Sequence, residues 1–257
     1  MATTGRKPPA RRASPLLRHA VETAHCTHAV KLSVLRQLPF LADLTDSEVQ
    51  GLCGIFRDTG YASGQAVYVA GEPARRLFVV ASGKVKIVRT GPDGQDLLVD
   101  MLSDGDFFGS LERLGEERYS EGAVAHVQSC VLAASAEDFQ SILARFPPVS
   151  VRLVSILAGR LRSAHEKLQM LSGLSVEARI ASILLRLASR FGEAHPLGTL
   201  IQLPLSREEL AEMAGTTTES ASRVTSRFSR DGLIRTGRRW VAVSDRDRLA
   251  VAAESGS

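Results

Sequence analysis

With 257 residues, 44 % hydrophobic and 23 % charged, and a formal net charge of +4, the chain has the composition of a folded protein long enough for two modest domains. No apolar run reaches the eighteen residues of a membrane-spanning helix, and "MATTGRKPPARRAS" lacks the apolar core of a signal peptide, so a cytoplasmic protein without membrane partners is expected. Cys26, Cys53 and Cys130 are an odd number without CxxC spacing, which argues against a disulfide framework or zinc knuckle and for reduced thiols, Cys53 and Cys130 serving as small core residues.

Residues 1–31 read as a basic, largely disordered tail carrying Arg6, Lys7, Arg11 and Arg12, followed by a helical patch. The folded body is placed from Leu32. Between Gly60 and Gly109, glycines separate short apolar runs at gaps of mostly seven to twelve residues, the spacing of successive hairpins. "KVKIVRT" alternates strictly, "PDGQ" supplies a turn, and "DLLVDML" resumes as strand, so the segment from Gly60 onward reads as an all-β roll or barrel, within a β-roll sensor domain placed at residues 32–146.

After Phe146–Pro148 the apolar period lengthens. Val154, Leu157, Leu161, Ala164, Leu168 and Leu171 follow at alternating intervals of three and four, the seam of a coiled coil. A dimerisation helix over 147–172 is predicted, giving a homodimer. Ile156 and Val151 broaden the apolar face, which leaves packing on the chain's own domain as the alternative. Gly173 in "LSGLS" marks a hinge.

Residues 173–257 open with the amphipathic "SVEARIASILLRLASRFGE" and continue with "LPLSREELAEMAG", where Ser206 and Glu209 form a capping box and Gly215 ends the helix. A second helix begins at Thr216 or Thr217 and stops at Asp231-Gly232. Two short strands around Thr236-Gly237 follow. This order is a winged helix-turn-helix, whose second helix enters the major groove of double-stranded DNA. Six arginines against Asp231 alone between residues 223 and 239 supply a field for phosphate.

The candidate DNA-binding residues are Thr217, Thr218, Glu219, Ser222, Arg223, Arg227, Arg230 and Arg207. Of these, Thr218, Glu219, Ser222 and Arg223 share one helical stripe. Arg223 can donate twice to guanine, Glu219 can accept from cytosine, and Ser222 is small enough to approach thymine. Arg227 and Arg230 are assigned to phosphates. Two readings of Glu219 stand, because Thr216-x-x-Glu219 also spells a capping box.

With "GxxVYxxGE" at Gly64–Glu72, "SGKVKI" at Ser82–Ile87, "GDFFG" at Gly105–Gly109 and "TTTESASRV" at Thr216–Val224, the chain from about Leu32 to Leu249 resembles the CRP/FNR family of bacterial transcription regulators. The resemblance implies an α+β protein: an N-terminal β-roll of the cyclic-nucleotide-binding jelly-roll type, a long dimerisation helix and a C-terminal winged helix-turn-helix. It implies no catalysis, RNA polymerase as a partner, and a palindromic TTGAT-like site. Its FNR branch carries Glu-x-x-Ser-Arg on the recognition helix, matched by Glu219, Ser222 and Arg223.

The sensory half departs from that pattern. An FNR-type iron-sulfur cluster needs four thiolates, and the chain has three cysteines. His25, Cys26 and His28 are either ligands of a haem or metal, making the protein a gas or redox sensor with DNA binding as output, or ordinary helix residues. The reading adopted carries no cofactor and no metal. The effector pocket implied by the family comprises Gly109, Ser110, Leu111, Ser120 and Glu121. Members that bind cyclic AMP carry glutamate at the position of Ser110, and arginine then serine where Ser120 and Glu121 fall. Cyclic AMP is therefore not the expected effector, unless Arg118 serves after a two-residue shift. Another small molecule, or a pocket filled by the protein's own side chains, remains open.

Overall fold

Thr27 accepts the Val30 N–H and so starts the first helix, α1 (His28–Gln37), which runs across the boundary placed at Leu32. The computed structural model describes Pro15 and residues 27–91, 96–111 and 117–254, the side chains of 96, 110, 111 and 166–172 excepted. It divides between Ser172 and Gly173 into two compact units. A 3₁₀ turn (Pro39–Leu41) leads to α2 (Asp46–Leu52), whose Thr45–Glu48 capping box satisfies two backbone donors reciprocally.

The roll is built of β1 (Arg57–Tyr61), β2 (Ala66–Tyr68), β3 (Arg75–Ser82), β4 (Lys84–Thr90), β5 (Asp96–Ser103), β6 (Phe107–Leu111), β7 (Gly122–Ala125) and β8 (Ser129–Ser135). They form two antiparallel sheets, ordered β1-β8-β3-β6 and β2-β7-β4-β5. "LFVVA" in β3 is continuously buried because both faces of that strand are covered. Leu77, Val79 and Ala81 face a core shared with α1 and α2, whereas Phe78 and Val80 face the space between the sheets.

Residues 136–145, inside the bounds given to the sensor domain, form helix α3 (Ala136–Arg145). Ser135 caps it, and Phe139 and Ile142 enter the same core as Leu77. Then α4 (Pro147–Gly173) packs Val149 and Leu153 there, with Ile156 at its edge. Arg152 clasps Asp43 through two hydrogen bonds of 2.8 and 2.6 Å, which hold the Asp43 carboxyl below its ordinary pKa. Farther along, the Arg160 guanidinium lies 3.9 Å over the Phe107 ring and donates to its carbonyl at 2.8 Å, tying α4 to β6.

The second unit starts with α5 (Val176–Phe191), capped by Ser175 and buried along Ala178, Ile180, Ile183, Leu184, Leu187 and Phe191. A hairpin unforeseen in the sequence follows, β9 (Gly192–His195) and β10 (Gly198–Ile201). After α6 (Arg207–Ala214) and α7 (Thr218–Arg230), strands β11 (Ile234–Gly237) and β12 (Trp240–Val243) join that hairpin in a sheet ordered β11-β12-β10-β9, and α8 (Arg246–Glu254) closes the unit.

Cys53 is a buried free thiol. Cys130, also buried, is disulfide-bonded, which corrects the expectation of a reduced core thiol. Among the described residues no single helix is long and apolar enough to cross a membrane.

Candidate nucleic-acid interface and effector pocket

The helix pair at the centre of the second unit is set by its connection. Ser206 and Glu209 form the expected capping box on α6, and Gly215 ends that helix in the left-handed region at φ 56°. Its N–H, with that of Thr216, returns to the last carbonyls of α6. The N-cap of α7 is Thr217, not Thr216, so Ser220 rather than Glu219 stands at the third helical position and donates its N–H to the Thr217 hydroxyl at 3.2 Å. The Thr216–Glu219 capping box is not formed, and Glu219 is left exposed on the first turn.

Ala221, Thr225 and Phe228 bury the inner face of α7, the Thr225 hydroxyl donating to the Ala221 carbonyl at 2.6 Å. The outer face carries Thr218, Glu219 and Arg223, all exposed, with Ser222 half-buried beside them. Arg223 donates to the Ser220 hydroxyl at 3.1 Å, and that hydroxyl also accepts from Thr217. Ser220 therefore aims the guanidinium along the first turn. Sequence reasoning passed over it, although an i,i+3 spacing to Arg223 was there to be seen.

Three other assigned residues are placed differently from one another. Arg230 is exposed at the last turn. Arg227 is ion-paired with Glu177 in the first turn of α5. Arg207 is half-buried and donates to the Thr236 hydroxyl at 3.2 Å, so it fastens α6 to β11 instead of joining the exposed stripe, and burial pushes its pKa down. The turn of the ribbon is Arg238-Arg239, not Thr236-Gly237. Arg239 takes a left-handed φ of 60°, and Arg235, Arg238 and Arg239 are exposed.

In the first unit Gly109 takes φ +88°, and a Cβ there would lie 2.9 Å from the Arg76 carbonyl and the Phe78 ring. The side chains of Ser110 and Leu111 lie outside the described residues. Ser120 is exposed and Glu121 half-buried, both ahead of β7 rather than within it. The residue that turns inward is Tyr119. Its ring stacks on Tyr68 at 3.9 Å, and Phe78 and Phe108 extend the stack, 5.3 Å from centroid to centroid. The Tyr119 hydroxyl accepts the Arg76 N–H at 3.2 Å and donates to the Arg76 carbonyl at 3.1 Å, so its hydrogen bonding is satisfied internally. Burial pushes its pKa up. Arg118 is exposed and donates to the Gly71 carbonyl at 2.6 Å.

On α4, Val154, Leu157 and Leu161 are 66, 49 and 58 % exposed, and Ala164 is exposed below them. Val151 joins this stripe, while Ile156 packs inward. The side chains of Leu168 and Leu171 lie outside the described residues. His25 and Cys26, on which the sensor alternative rests, also lie outside them, and His28 opens α1.

Residues 59–146 match the family model of the cyclic nucleotide-binding domain, and residues 178–252 that of the Crp-like helix-turn-helix domain. The CRP-like cAMP-activated global transcriptional regulator of Mycobacterium tuberculosis is 30 % identical over 217 residues, 84 % of this chain and 97 % of that protein. The cyclic AMP receptor protein of Thermus thermophilus is 34 % identical over 207 residues, 80 % of this chain and 93 % of that protein. The structure of FixK2 from Bradyrhizobium japonicum has the same fold, with a TM-score of 0.71 at 23 % identity over 79 % of this chain and 100 % of that one.

Proposed function

The chain belongs to the CRP/FNR family of transcription regulators, which bind DNA through a helix-turn-helix and are not enzymes, and from that premise we propose that two copies of it read a TTGAT-like palindrome through α7. The observation that carries the reading is the stripe of exposed Thr218, Glu219 and Arg223, with half-buried Ser222 beside them, on the opening turns of a helix whose other side is buried. Those turns enter the major groove in this motif. Arg223 reads guanine, Glu219 its paired cytosine, and Ser222 a flanking A·T pair. Thr217 and Arg230 hold phosphates, and Arg207 supports them by fixing the ribbon through Thr236. The α4 stripe joins the two copies, and the protein works in the cytoplasm beside RNA polymerase. Selection from randomised duplexes tests this: the enriched sequences should be two inverted TTGAT-like half-sites. Enrichment of single, unpaired half-sites or of unrelated sequences would overturn it.

The two relatives described above are cAMP-linked by name, but the roll of this chain supports a different control. A nucleotide between the sheets would have to displace Tyr119 from Tyr68 and from Arg76, and it would find Glu121 near the phosphate position and Arg118 engaged on Gly71. A carboxylate near a phosphodiester and an unpaired phosphate in a partly dry pocket each oppose binding. Any effector of the Gly109–Leu111 region is then another small molecule. Calorimetric titration with cyclic AMP is expected to give no heat, and operator affinity should not change on its addition. Micromolar binding with a tenfold gain in operator affinity would show that Tyr119 yields its place.

A further inference from the structure

Three arginines lie along the exposed side of α7: Arg223, Arg227 and Arg230. At about 100° per residue, Arg227 is displaced roughly 40° from Arg223, toward the edge of the base-reading stripe. At that edge the carboxylate of Glu177, from the first turn of α5, holds the Arg227 guanidinium in an ion pair. The two residues are fifty positions apart in sequence, and both remain about half exposed, at 48 and 38 %. Neither is shielded from an approaching ligand.

Resting on the reading of α7 as the recognition helix, we propose that Glu177 is a specificity-determining residue that withholds Arg227 from DNA phosphate until the helix is seated on its own site. A carboxylate and a phosphate present the same kind of oxygen acceptors to a guanidinium, so the two compete for one position. On random DNA the attraction is almost entirely to the backbone. Arg227 would there have to leave Glu177 for a mobile, loosely placed phosphate, and the freed carboxylate would face a polyanion. On the operator, base contacts from Glu219 and Arg223 fix the helix close to the backbone, and a phosphate held in place displaces the carboxylate. The pair thus penalises backbone-only binding more than sequence-specific binding. Specificity arises here by making the wrong complex worse, not by adding a contact to the right one.

The test compares wild type, Glu177→Gln, Arg227→Gln and the double variant on a 20-base-pair random duplex and on the operator, each across a range of salt. Glu177→Gln should bind random DNA about an order of magnitude more tightly at 0.1 M salt, with a slope steeper by about 0.9, the signature of one more phosphate contact. Operator affinity should rise much less, so the ratio between the two should fall. Arg227→Gln should leave the random-DNA slope at its wild-type value and weaken operator binding. In the double variant the gain on random DNA should vanish. A gain that persists there would reflect the lost negative charge alone and overturn the proposal, as would an unchanged slope. A lower melting temperature of Glu177→Gln without any change in slope would make the pair only a strut between α5 and α7. Failure of the wild type to prefer a TTGAT palindrome over random DNA would refute the reading of α7 independently, since the random-duplex arm does not use that sequence.

Discussion

Arg223→Ala is expected to weaken binding to a TTGAT-type palindrome by about 1 to 3 kcal/mol per half-site while leaving affinity for random duplex nearly unchanged. The asymmetry follows from what the side chain is aimed at. Arg223 stands on the opening turns of α7, where Ser220 fixes its direction, and a guanidinium so placed reaches two acceptors on one guanine edge. Arg230, exposed at the last turn, is assigned to a phosphate, so Arg230→Ala should weaken operator and random DNA alike and reduce the salt slope by about one. Ser220→Ala separates aim from chemistry, because it keeps the guanidinium and removes its hydroxyl partner. Part of the Arg223→Ala loss should reappear in it, confined again to the operator. Equal losses on both DNAs for Arg223→Ala would sink the base-reading assignment and make Arg223 one more phosphate contact.

The parts of this site that could be read from sequence are those whose causes are local. The Ser206–Glu209 box and the helix stop at Gly215 each arise within one or two helical turns, and the structure shows both of them. The choice between Thr216 and Thr217 as N-cap was not legible, since three consecutive threonines offer the same hydroxyl and only the path of the turn selects one. Gly237 invited a turn assignment because glycine usually means backbone freedom. Its actual reason is the Trp240 indole, which lies where a Cβ would stand. Pro196 and Gly198 in "HPLG" are local turn signals that sequence reasoning passed over, whereas the close approach of the Val243 backbone to Gly198, from a strand more than forty residues later, could not be read from them.

Long-range pairing explains the remaining misses in the same way. Arg227 reads in sequence as a phosphate contact and Glu177 carries no assignment, and only the fold brings the two together across fifty residues. Tyr119 sits between Arg118 and Ser120, and nothing in "ERYSEG" says which of the three turns inward. That choice is made by Tyr68, Phe78 and Phe108, which come from three different strands and offer an aromatic surface only after both sheets have formed.

Leu161→Lys should convert the protein to monomers and abolish binding to the palindrome. In one copy of the chain, Val151, Val154, Leu157 and Leu161 form a continuous apolar stripe on the side of α4 turned away from Val149, Leu153 and Ile156, which fill the core of the first unit. A leucine moved from water into an apolar contact contributes about 1.5–3 kcal/mol, and a two-fold axis counts it twice. The lysine would bring two ammonium groups toward each other across the same axis, replacing that gain with desolvation and repulsion. Two half-sites one helical turn apart, about 34 Å, need two recognition helices in fixed relation, so a monomer loses the palindrome even though each α7 is intact. The first unit itself should melt as before, because Leu161 is largely exposed and takes no part in its core. Leu161→Met, which keeps the apolar volume, should remain dimeric and bind normally. Light scattering on the three proteins decides the matter: a Leu161→Lys variant that still sediments and scatters as a dimer would place the contact between copies on another surface, and the exposed α4 stripe would then lack a partner.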